Sequence, residues 1–295
     1  MNDKAWHETY RGTVYRWEVD NNDHFTVAFY FARLDDATRA TLHSLGLGAD
    51  YTTRTGRGCP ITECYVRYLK ELRVGDIMHM TSGVRTVERD TLVLVHKLFD
   101  SETDALCTTI EQRLVHTGAD GMPVAFGDEQ RRAAESRRVE WDTPAPPARP
   151  RPARLDGFRD SARDTARTGE MDAFGRLNLS AYIHRFSAAN AQVLAAFGLS
   201  PGYMREKNRG FSTFEFHCTF SGGLSAGDPL VVRTGLTHVG NSSMRVLHVM
   251  TNERTGEAVA SLEQSGVHLD LDARRPAPLP DELRRRAQAI LIRSA

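Results

Sequence analysis

The chain of 295 residues carries 38 Lys plus Arg and 38 Asp plus Glu, so its formal net charge is zero. This balance creates no net field for nucleic acid or an anionic membrane, and we expect neither as a partner. The start, "MNDKAWHETYRG", has no apolar signal segment, and no apolar run reaches the roughly 18 residues of a membrane span, which predicts a cytoplasmic protein. The four cysteines form no CxxC pair and indicate neither a metal site nor disulfides.

The sequence repeats itself at an offset of 152 residues. Residues 18–116 align with residues 170–268 without a gap, and 23 of the 99 aligned positions are identical. Average composition would give about six identities by chance. The identical pairs include Glu18/Glu170, Asp20/Asp172, Tyr30/Tyr182, Arg33/Arg185, Glu63/Glu215, Gly83/Gly235, His96/His248 and Glu111/Glu263. The duplication predicts two copies of one fold.

Each copy is predicted to contain a short strand, a long helix and four further strands. In the first copy the short strand covers residues 13–19 and the later strands cover residues 61–69, 76–87, 91–99 and 105–116. The helix is indicated by residues at helical spacing: Tyr30, Leu34, Ala37, Thr41 and Leu45, with counterparts Tyr182, Phe186, Ala189, Val193 and Phe197. A long helix followed by an antiparallel meander is an α+β pattern, in which the sheet wraps the helix.

A proline-rich segment separates the copies. It spans residues 143–155, and its prolines restrict φ and remove backbone donors, so we expect a stiff, extended linker. The predicted domains are therefore residues 1–142 and residues 156–295. Short charged helices are predicted near the end of each domain, at residues 127–138 and 280–290.

An Asp lies a few residues before the long helix in both copies, and these residues, Asp20 and Asp172, are the first catalytic candidates. A carboxylate there would lie near the positive end of the helix dipole, close to free N–H groups that could hold an oxyanion. An N-cap role is the alternative. Glu63 and Glu215 lie within strand patterns, and they would form a carboxylate pair with an Asp if they face the helix N-terminus.

Several polar residues are expected to be structural. Glu111, Gln112 and their counterparts Glu263 and Gln264 lie in the last strand, and we expect a structural or rim position for them. The four strand histidines are expected to be half-buried with satisfied hydrogen bonds: His96, His248, His116 and His268.

The two copies differ at the helix entrance. His24 is replaced by Arg176, and either side chain could hold a carbonyl or a phosphate of a ligand. Asp23 is replaced by Gly175, and a glycine there would let the backbone approach a ligand closely. Any two sites should therefore differ, and one could be degenerate.

The segment "MDAFGRLNLSAY" has the spacing Asp-x-x-Gly-x-x-Asn-x-x-x-Tyr, with Arg176 where His is usual. The segment "VDNNDHFTVAFY" keeps the Asp, the His and the Tyr, but it has Asp23 in place of Gly and Thr26 in place of Asn. This pattern resembles the hotdog-fold thioesterases of the 4-hydroxybenzoyl-CoA type, in two tandem copies. The resemblance implies hydrolysis of an acyl-CoA thioester without a metal or another cofactor. Asp20 or Asp172 would act as general base or nucleophile, and His24, Tyr30, Arg176, Asn178 and Tyr182 would bind substrate.

The resemblance also implies an assembly. Hotdog sheets pair edge to edge with ligand sites between halves, so we expect a pseudo-dimeric chain that forms homo-oligomers. The segments "ITECYVRYLKELRVGD" and "EQRLVH" are similar to the betainyl-CoA thioesterases of carnitine degradation. A trimethylammonium group would need an aromatic cage and an acid. Candidates for the cage are Tyr15, Trp17, Phe29 and Tyr30, with Glu63 as the acid.

Two other functions stay open. One is hydration of an enoyl-CoA by an Asp/His pair, suggested by "DNNDH", although the spacing of that segment differs from the hydratase pattern. The other is a non-catalytic acyl-CoA-binding protein with degenerate sites, suggested by the departures from the pattern at Asp23, Thr26 and Arg176.

Overall fold

The computed structural model describes residues 5–20, 22–152, 154–172 and 175–292. The chain divides into two compact units, Met1–Ala145 and Pro146–Ala295. This division falls inside the predicted linker, of which Ala153 lies outside the described residues. The domain boundaries proposed from the sequence stay a prediction.

The first unit is one long helix packed on an antiparallel sheet. Its strands lie in the order β1-β3-β4-β5-β2. In chain order the elements are β1 (His7–Thr13), a 3₁₀ turn (Arg16–Glu18), α1 (Val27–Ser44), α2 (Ala49–Thr55), β2 (Ile61–Tyr68), β3 (Ile77–Val87), β4 (Thr91–Asp100), β5 (Leu106–Val115) and α3 (Asp128–Ser136).

The second unit repeats this arrangement, with the strand order β7-β10-β9-β8-β6 and a short additional strand beside β10. Its elements are β6 (Arg159–Thr165), a 3₁₀ turn (Thr168–Glu170), α4 (Leu179–Ala196), α5 (Pro201–Lys207), β7 (Arg209–Phe220), β8 (Pro229–Val239), β9 (Ser243–Asn252), β10 (Ala258–Asp270), β11 (Arg275–Pro276) and α6 (Asp281–Ala289). The α+β class and the duplicated order of elements agree with the sequence prediction.

The apolar face predicted for each long helix is buried against the sheet. All five residues predicted for α1 and all five predicted for α4 are less than 6% exposed. Burying one large apolar side chain contributes on the order of 1.5–3 kcal/mol, so this face holds each helix on its sheet. The two charged helices are also confirmed, as α3 and α6.

The strand predicted at residues 13–19 is wrong. The first strand is β1, which pairs with β3 from His7↔Ser82 to Thr13↔Ile77. The chain then turns into the 3₁₀ turn, because the Glu18 carboxylate accepts a hydrogen bond from Tyr15 N at 3.0 Å. The short helices α2 and α5 were not predicted from the pattern, although Ser200 caps α5 and Pro201 begins it.

The strand histidines are fully buried, so the expectation of half-burial is wrong. His96, His116, His248 and His268 are each at most 1% exposed. His96 Nδ1 lies 2.6 Å from Ser82 Oγ and its Nε2 lies 3.0 Å from Gln112 Oε1, both within hydrogen-bonding distance. Thr38 of α1 donates to the same Gln112 oxygen at 2.7 Å. Gln112 therefore links the helix to the sheet, and its side chain marks the sheet face that α1 covers.

A segment after each charged helix adds to one edge of its sheet. In the first unit Arg138 forms a parallel bridge with Val84, and Val139 N donates to Val84 O at 2.9 Å. In the second unit Leu291 bridges Leu236, and Ile292 N donates to Leu236 O at 2.8 Å. The glycines Gly83 and Gly235, identical in the repeat, provide the space for this contact.

Burial should make the stability of the fold depend on pH. Desolvation lowers the pKa of His96 to about 4 and that of His248 to about 3. Between these values and about 6.5 the unfolded chain binds protons that the folded chain excludes, so stability should fall as the pH falls from 6.5 toward 4. Each histidine contributes at most about 1.4 kcal/mol per pH unit. Urea unfolding at several pH values measures the slope.

The variant His248→Leu should have a shallower slope in that window, and replacement of the exposed His43 by Gln should leave the slope unchanged. A slope that is the same in His248→Leu and in the wild type would contradict the prediction.

Close packing at Gly235 should make that position intolerant of a side chain. A Cβ added there would lie 2.7 Å from Ile292 Cγ1 and 2.8 Å from Phe158 Cε2. We expect Gly235→Ala to lower the free energy of unfolding by about 1–3 kcal/mol. In the control Gly223→Ala the Cβ meets nothing within 4 Å, so its change should stay within about 0.5 kcal/mol. Equal stabilities of the two variants in denaturant unfolding would disprove the packing argument.

Candidate active site

A tight turn precedes each long helix and carries the candidate Asp. In the first unit Val19 bridges Phe25, and Asp20 N donates to His24 O at 2.8 Å. In the second unit Met171 bridges Leu177, and Asp172 N donates to Arg176 O at 2.7 Å. The same backbone hydrogen bonds therefore close both turns.

The Asp23/Gly175 difference is explained by the backbone of this turn. Asp23 has φ +60° and Gly175 has φ +72°, so both adopt the left-handed conformation. Glycine adopts it without strain, and Asp is among the few other residues that do so readily. The backbone conformation of the turn therefore explains a glycine at position 175, and close approach of a ligand is not needed to explain it.

The Asp carboxylates bind N–H groups of the turn. Asp20 Oδ1 accepts from Asn22 N at 2.8 Å and from His24 N at 3.0 Å. Neither Asp is a helix N-cap, because the caps are Thr26 for α1 and Asn178 for α4. Asp20 and Asp172 therefore lie before the helix caps, as expected. The N–H groups that bind them belong to the turn and not to the helix.

The two carboxylates have different surroundings. Asp172 Oδ1 accepts from Arg176 N at 2.9 Å, and Oδ2 accepts from the Arg176 guanidinium at 3.0–3.1 Å. The Asp172 side chain is only 7% exposed. Asp20 is exposed, and its Oδ2 lies 3.5 Å from the Asn22 side-chain amide. A guanidinium therefore holds the second carboxylate, and neutral amides surround the first.

The first turn is tied to the loop between β2 and β3. His24 Nε2 lies 2.7 Å from Glu71 Oε2, Phe25 N donates to Leu72 O at 2.7 Å, and Arg73 pairs with Asp23 at 3.0 Å. His24, predicted to bind substrate, is thus held beside a carboxylate. Arg176, predicted for the same role, is held by Asp172.

The helix N-termini also differ. Asn178 Oδ1 accepts from Ala181 N and from Ser180 Oγ, both at 2.9 Å, so its side chain caps α4. Thr26 makes no side-chain cap bond to α1. The N–H of Phe29 in the first turn of α1 donates instead to the backbone oxygen of Thr26 at 2.9 Å.

The sequence reasoning missed an ion pair that fixes both turns. Arg185 of α4 pairs with Glu170 at 2.7 Å and is 4% exposed. In the first unit Arg33 of α1 pairs with Glu18, which is 3% exposed. Burial alone would raise the pKa of Glu170, but its bonds from Arg185 and from Arg167 N lower it. The sequence could have revealed this ion pair, because Glu18/Glu170 and Arg33/Arg185 are identical in the repeat and the spacing from Glu to Arg is the same in both copies.

Glu63 and Glu215 lie on the sheet face away from the long helices. Cys64 is paired with Gln112, which faces α1, so its neighbour Glu63, paired with Arg113, points to the opposite face. Glu63 therefore faces away from α1 of its own unit, and its pairing with an Asp at a helix entrance stays a prediction. Glu215 is 8% exposed and lies 2.5 Å from Arg149, which also binds Glu263 at 2.5 Å.

The two tyrosines of the motif are core residues. Tyr30 is 4% exposed and makes an edge contact with Tyr68 at 5.1 Å. Tyr182 is 5% exposed, and burial raises its pKa to about 12. Tyr68 contacts Tyr30 on the face toward α1, and Glu63 points to the opposite face of the same strand. The aromatic cage with Glu63 as its acid stays a prediction.

The comparisons with known proteins identify the family. The profile described as the thioesterase-like superfamily matches residues 14–142 and 166–287, once for each copy. The chain belongs to the thioesterase-like superfamily. Among the described residues of this thioesterase-like chain, no helix is long and apolar enough to span a bilayer.

Two curated relatives match part of the chain. A betainyl-CoA thioesterase of Pseudomonas aeruginosa is 28% identical over 113 residues, which are 38% of this chain and 71% of the relative. An L-carnitine dehydrogenase/betainyl-CoA thioesterase of Agrobacterium fabrum is 28% identical over 129 residues, which are 43% of this chain and 26% of that longer protein.

Two solved structures match nearly the whole chain. An acyl-ACP thioesterase from Bacteroides thetaiotaomicron has TM-score 0.70 and 13% identity, covering 90% of this chain and 99% of that chain. The 12:0-ACP thioesterase from Umbellularia californica has TM-score 0.69 and 12% identity, covering 90% and 94%. At these identities the likeness shows the fold, and the predicted tandem hotdog is confirmed.

Proposed function

We propose that this chain hydrolyses an acyl-CoA thioester with Asp20 as the catalytic carboxylate. Membership of the thioesterase-like superfamily supports the reaction, and the names of both curated relatives include an acyl-CoA thioesterase. The observation that carries the choice of Asp20 is the difference between the carboxylates. The Arg176 guanidinium holds Asp172, whereas Asp20 is bound, among the described residues, by the N–H groups of Asn22 and His24 and by the Asn22 side-chain amide.

A working carboxylate needs lone pairs that are free to accept a proton or attack a carbonyl. The Arg176 guanidinium occupies Oδ2 of Asp172, and the Arg176 backbone N–H occupies Oδ1. In Asp20 two turn N–H groups fix Oδ1, which orients the carboxylate, and Oδ2 lies 3.5 Å from the Asn22 side-chain amide of an exposed turn. Asp20 therefore combines a fixed position with access for water.

The start of α1 is the proposed oxyanion site, where the helix dipole would add to the attraction of the backbone N–H groups of Val27 and Ala28. The N–H three residues after the cap is engaged in both units, since Phe29 N donates to Thr26 O at 2.9 Å and Ala181 N donates to the Asn178 side chain at 2.9 Å. Although the second unit matches the motif more closely, its motif residues serve the turn and the cap.

The proposed reaction is a balanced hydrolysis. Asp20 takes a proton from water as the water oxygen forms a bond to the thioester carbonyl carbon, and N–H groups of α1 hold the developing oxyanion. The carbon–sulfur bond then breaks. The sulfur leaves as the thiolate of CoA and takes up a proton, so that a carboxylic acid and CoA are the products. Glu63 and Glu215 take no part in this step.

The first experiment compares Asp20→Asn with Asp172→Asn. Asparagine has nearly the same shape but cannot act as a base, so Asp20→Asn should lower kcat for thiol release at least about 100-fold, as expected for loss of general-base catalysis. Asp172→Asn should keep kcat within about threefold. Thiol release from a panel of acyl-CoAs, measured with a thiol reagent, gives both values.

A loss confined to Asp172→Asn would assign catalysis to the second unit and overturn our choice. Full activity of both variants would contradict the carboxylate mechanism. Loss of enoyl-CoA absorbance without thiol release would favour the hydratase function.

A narrower proposal concerns the acyl group. The names of both relatives specify betainyl-CoA, which carries a trimethylammonium group. We expect kcat/KM for betainyl-CoA to exceed that for 3,3-dimethylbutanoyl-CoA, in which carbon replaces the charged nitrogen, by about tenfold or more, because a recognised cation adds roughly 1–2 kcal/mol. Equal values for the two thioesters would exclude recognition of the charge.

A further inference from the structure

A stacked pair of aromatic rings lies exposed beside the Asp20 turn. Tyr15 and Trp17 have ring centroids 4.6 Å apart and planes within 4° of parallel. Tyr15 is 46% exposed and Trp17 is 72% exposed. Because Tyr15 stacks on one face of the indole, the exposure of Trp17 leaves a flat aromatic surface open to a planar ligand.

Two arginines flank this pair and share one carboxylate. Arg16 lies 3.4 Å from Asp23 Oδ1, and Arg73 lies 3.0 Å from Asp23 Oδ2. Their side chains are 78% and 51% exposed. One carboxylate balances only one of the two guanidinium groups, so this group of five residues keeps a positive charge. Guanidinium groups are well suited to bind phosphate.

The second unit lacks every member of this group. The aligned residues at an offset of 152 are Arg167, Thr168, Gly169, Gly175 and Ser225. The five residues of the first unit, hereafter the Trp17 group, therefore differ together from their counterparts: Tyr15, Arg16, Trp17, Asp23 and Arg73. The second unit therefore carries neither the stacked rings nor the two arginines at these positions.

We propose that the Trp17 group binds the nucleotide end of CoA, with adenine on the open face of Trp17 and phosphate groups on Arg16 and Arg73. This inference rests on the proposed function, in which CoA is the leaving group. An aromatic face combined with guanidinium groups fits a base with its phosphates. A trimethylammonium group would be repelled by the two arginines.

The chain limits the distance between the Trp17 group and the proposed catalytic carboxylate. Trp17 and Asp20 are three residues apart, so their Cα atoms lie within about 11 Å of each other. The flexible arm of CoA would bend back from the Trp17 group to bring the thioester to Asp20.

Binding of CoA and of adenosine 3′,5′-bisphosphate to the full chain, measured by titration calorimetry, tests the inference without any acyl group or turnover. Trp17→Ala should raise Kd for both probes about tenfold, which is the usual effect of losing one stacked base. Trp17→Phe should have a smaller effect. Arg73→Ala should weaken both probes, and the control Arg205→Ala, an exposed arginine of the second unit, should not.

The variant Asp23→Asn gives the most specific test. Asparagine keeps the left-handed backbone that this position requires, and the change removes the carboxylate that competes with phosphate for both arginines. We therefore expect a severalfold lower Kd for both probes. A purely structural role for Asp23 predicts unchanged or weaker binding, which would contradict the inference.

Kinetics separate the nucleotide from other occupants. Trp17→Ala should raise KM for an acyl-CoA and leave kcat/KM for the corresponding acyl-pantetheine unchanged. If Trp17→Ala lowers kcat/KM equally for the acyl-CoA and for the acyl-pantetheine, the acyl group and not the nucleotide contacts Trp17. Unchanged CoA binding with an altered sedimentation coefficient would identify a second copy of the chain as the occupant. Either result overturns the inference.

The outcomes also separate this inference from the proposed function. If the wild type binds CoA through Trp17 but releases no thiol, the inference stands and the hydrolase proposal fails. If the wild type releases thiol and Trp17→Ala binds CoA normally, the inference fails alone.

Discussion

In both units an ion pair with one buried partner, Glu18 in the first unit and Arg185 in the second, joins the 3₁₀ turn to the long helix, and the position of the candidate carboxylate depends on it. The carboxyl group, Glu18 or Glu170, also accepts a backbone N–H of its own 3₁₀ turn. The helix residue opposite, Arg33 or Arg185, is anchored by the apolar face packed on the sheet. Removing one partner of such a pair leaves a buried charge, at a cost of about 3–5 kcal/mol. The Asp that follows two residues later is thereby held at the helix entrance.

The two turns share this ion pair, but they differ in the residues that contact them. The second turn is closed within itself, since Arg176 returns to Asp172. The first is tied outward to the loop after β2 through His24 and Asp23, which frees its carboxylate from a local cation. Under the proposed function the first copy would carry the reaction, and the motif residues of the second copy would keep a structural value in the turn and the helix cap.

Periodicity and the repeat were enough to predict the long helices, the later strands and the α+β class, because packing one helix face on a sheet imposes a regular spacing. The environment of Glu63 could not be predicted, since period-2 alternation gives two faces without saying which one the helix covers. The first strand was misplaced because residues 13–19 contain the turn that Glu18 closes through a side chain. The hydrogen-bond partners of Asp20 and Asp172 could not be predicted, because they depend on contacts within a turn and a turn has no periodic sequence pattern.

The segments that pair with Val84 and Leu236 have a consequence for solubility. An unpaired strand edge exposes N–H and C=O groups that can template pairing with another chain. Each unit covers part of such an edge with its own backbone, and the apolar side chain of Val139 or Ile292 sits over a glycine at the same point. Both units keep this pairing and thereby shield the same stretch of strand edge, although several residues at their helix entrances differ.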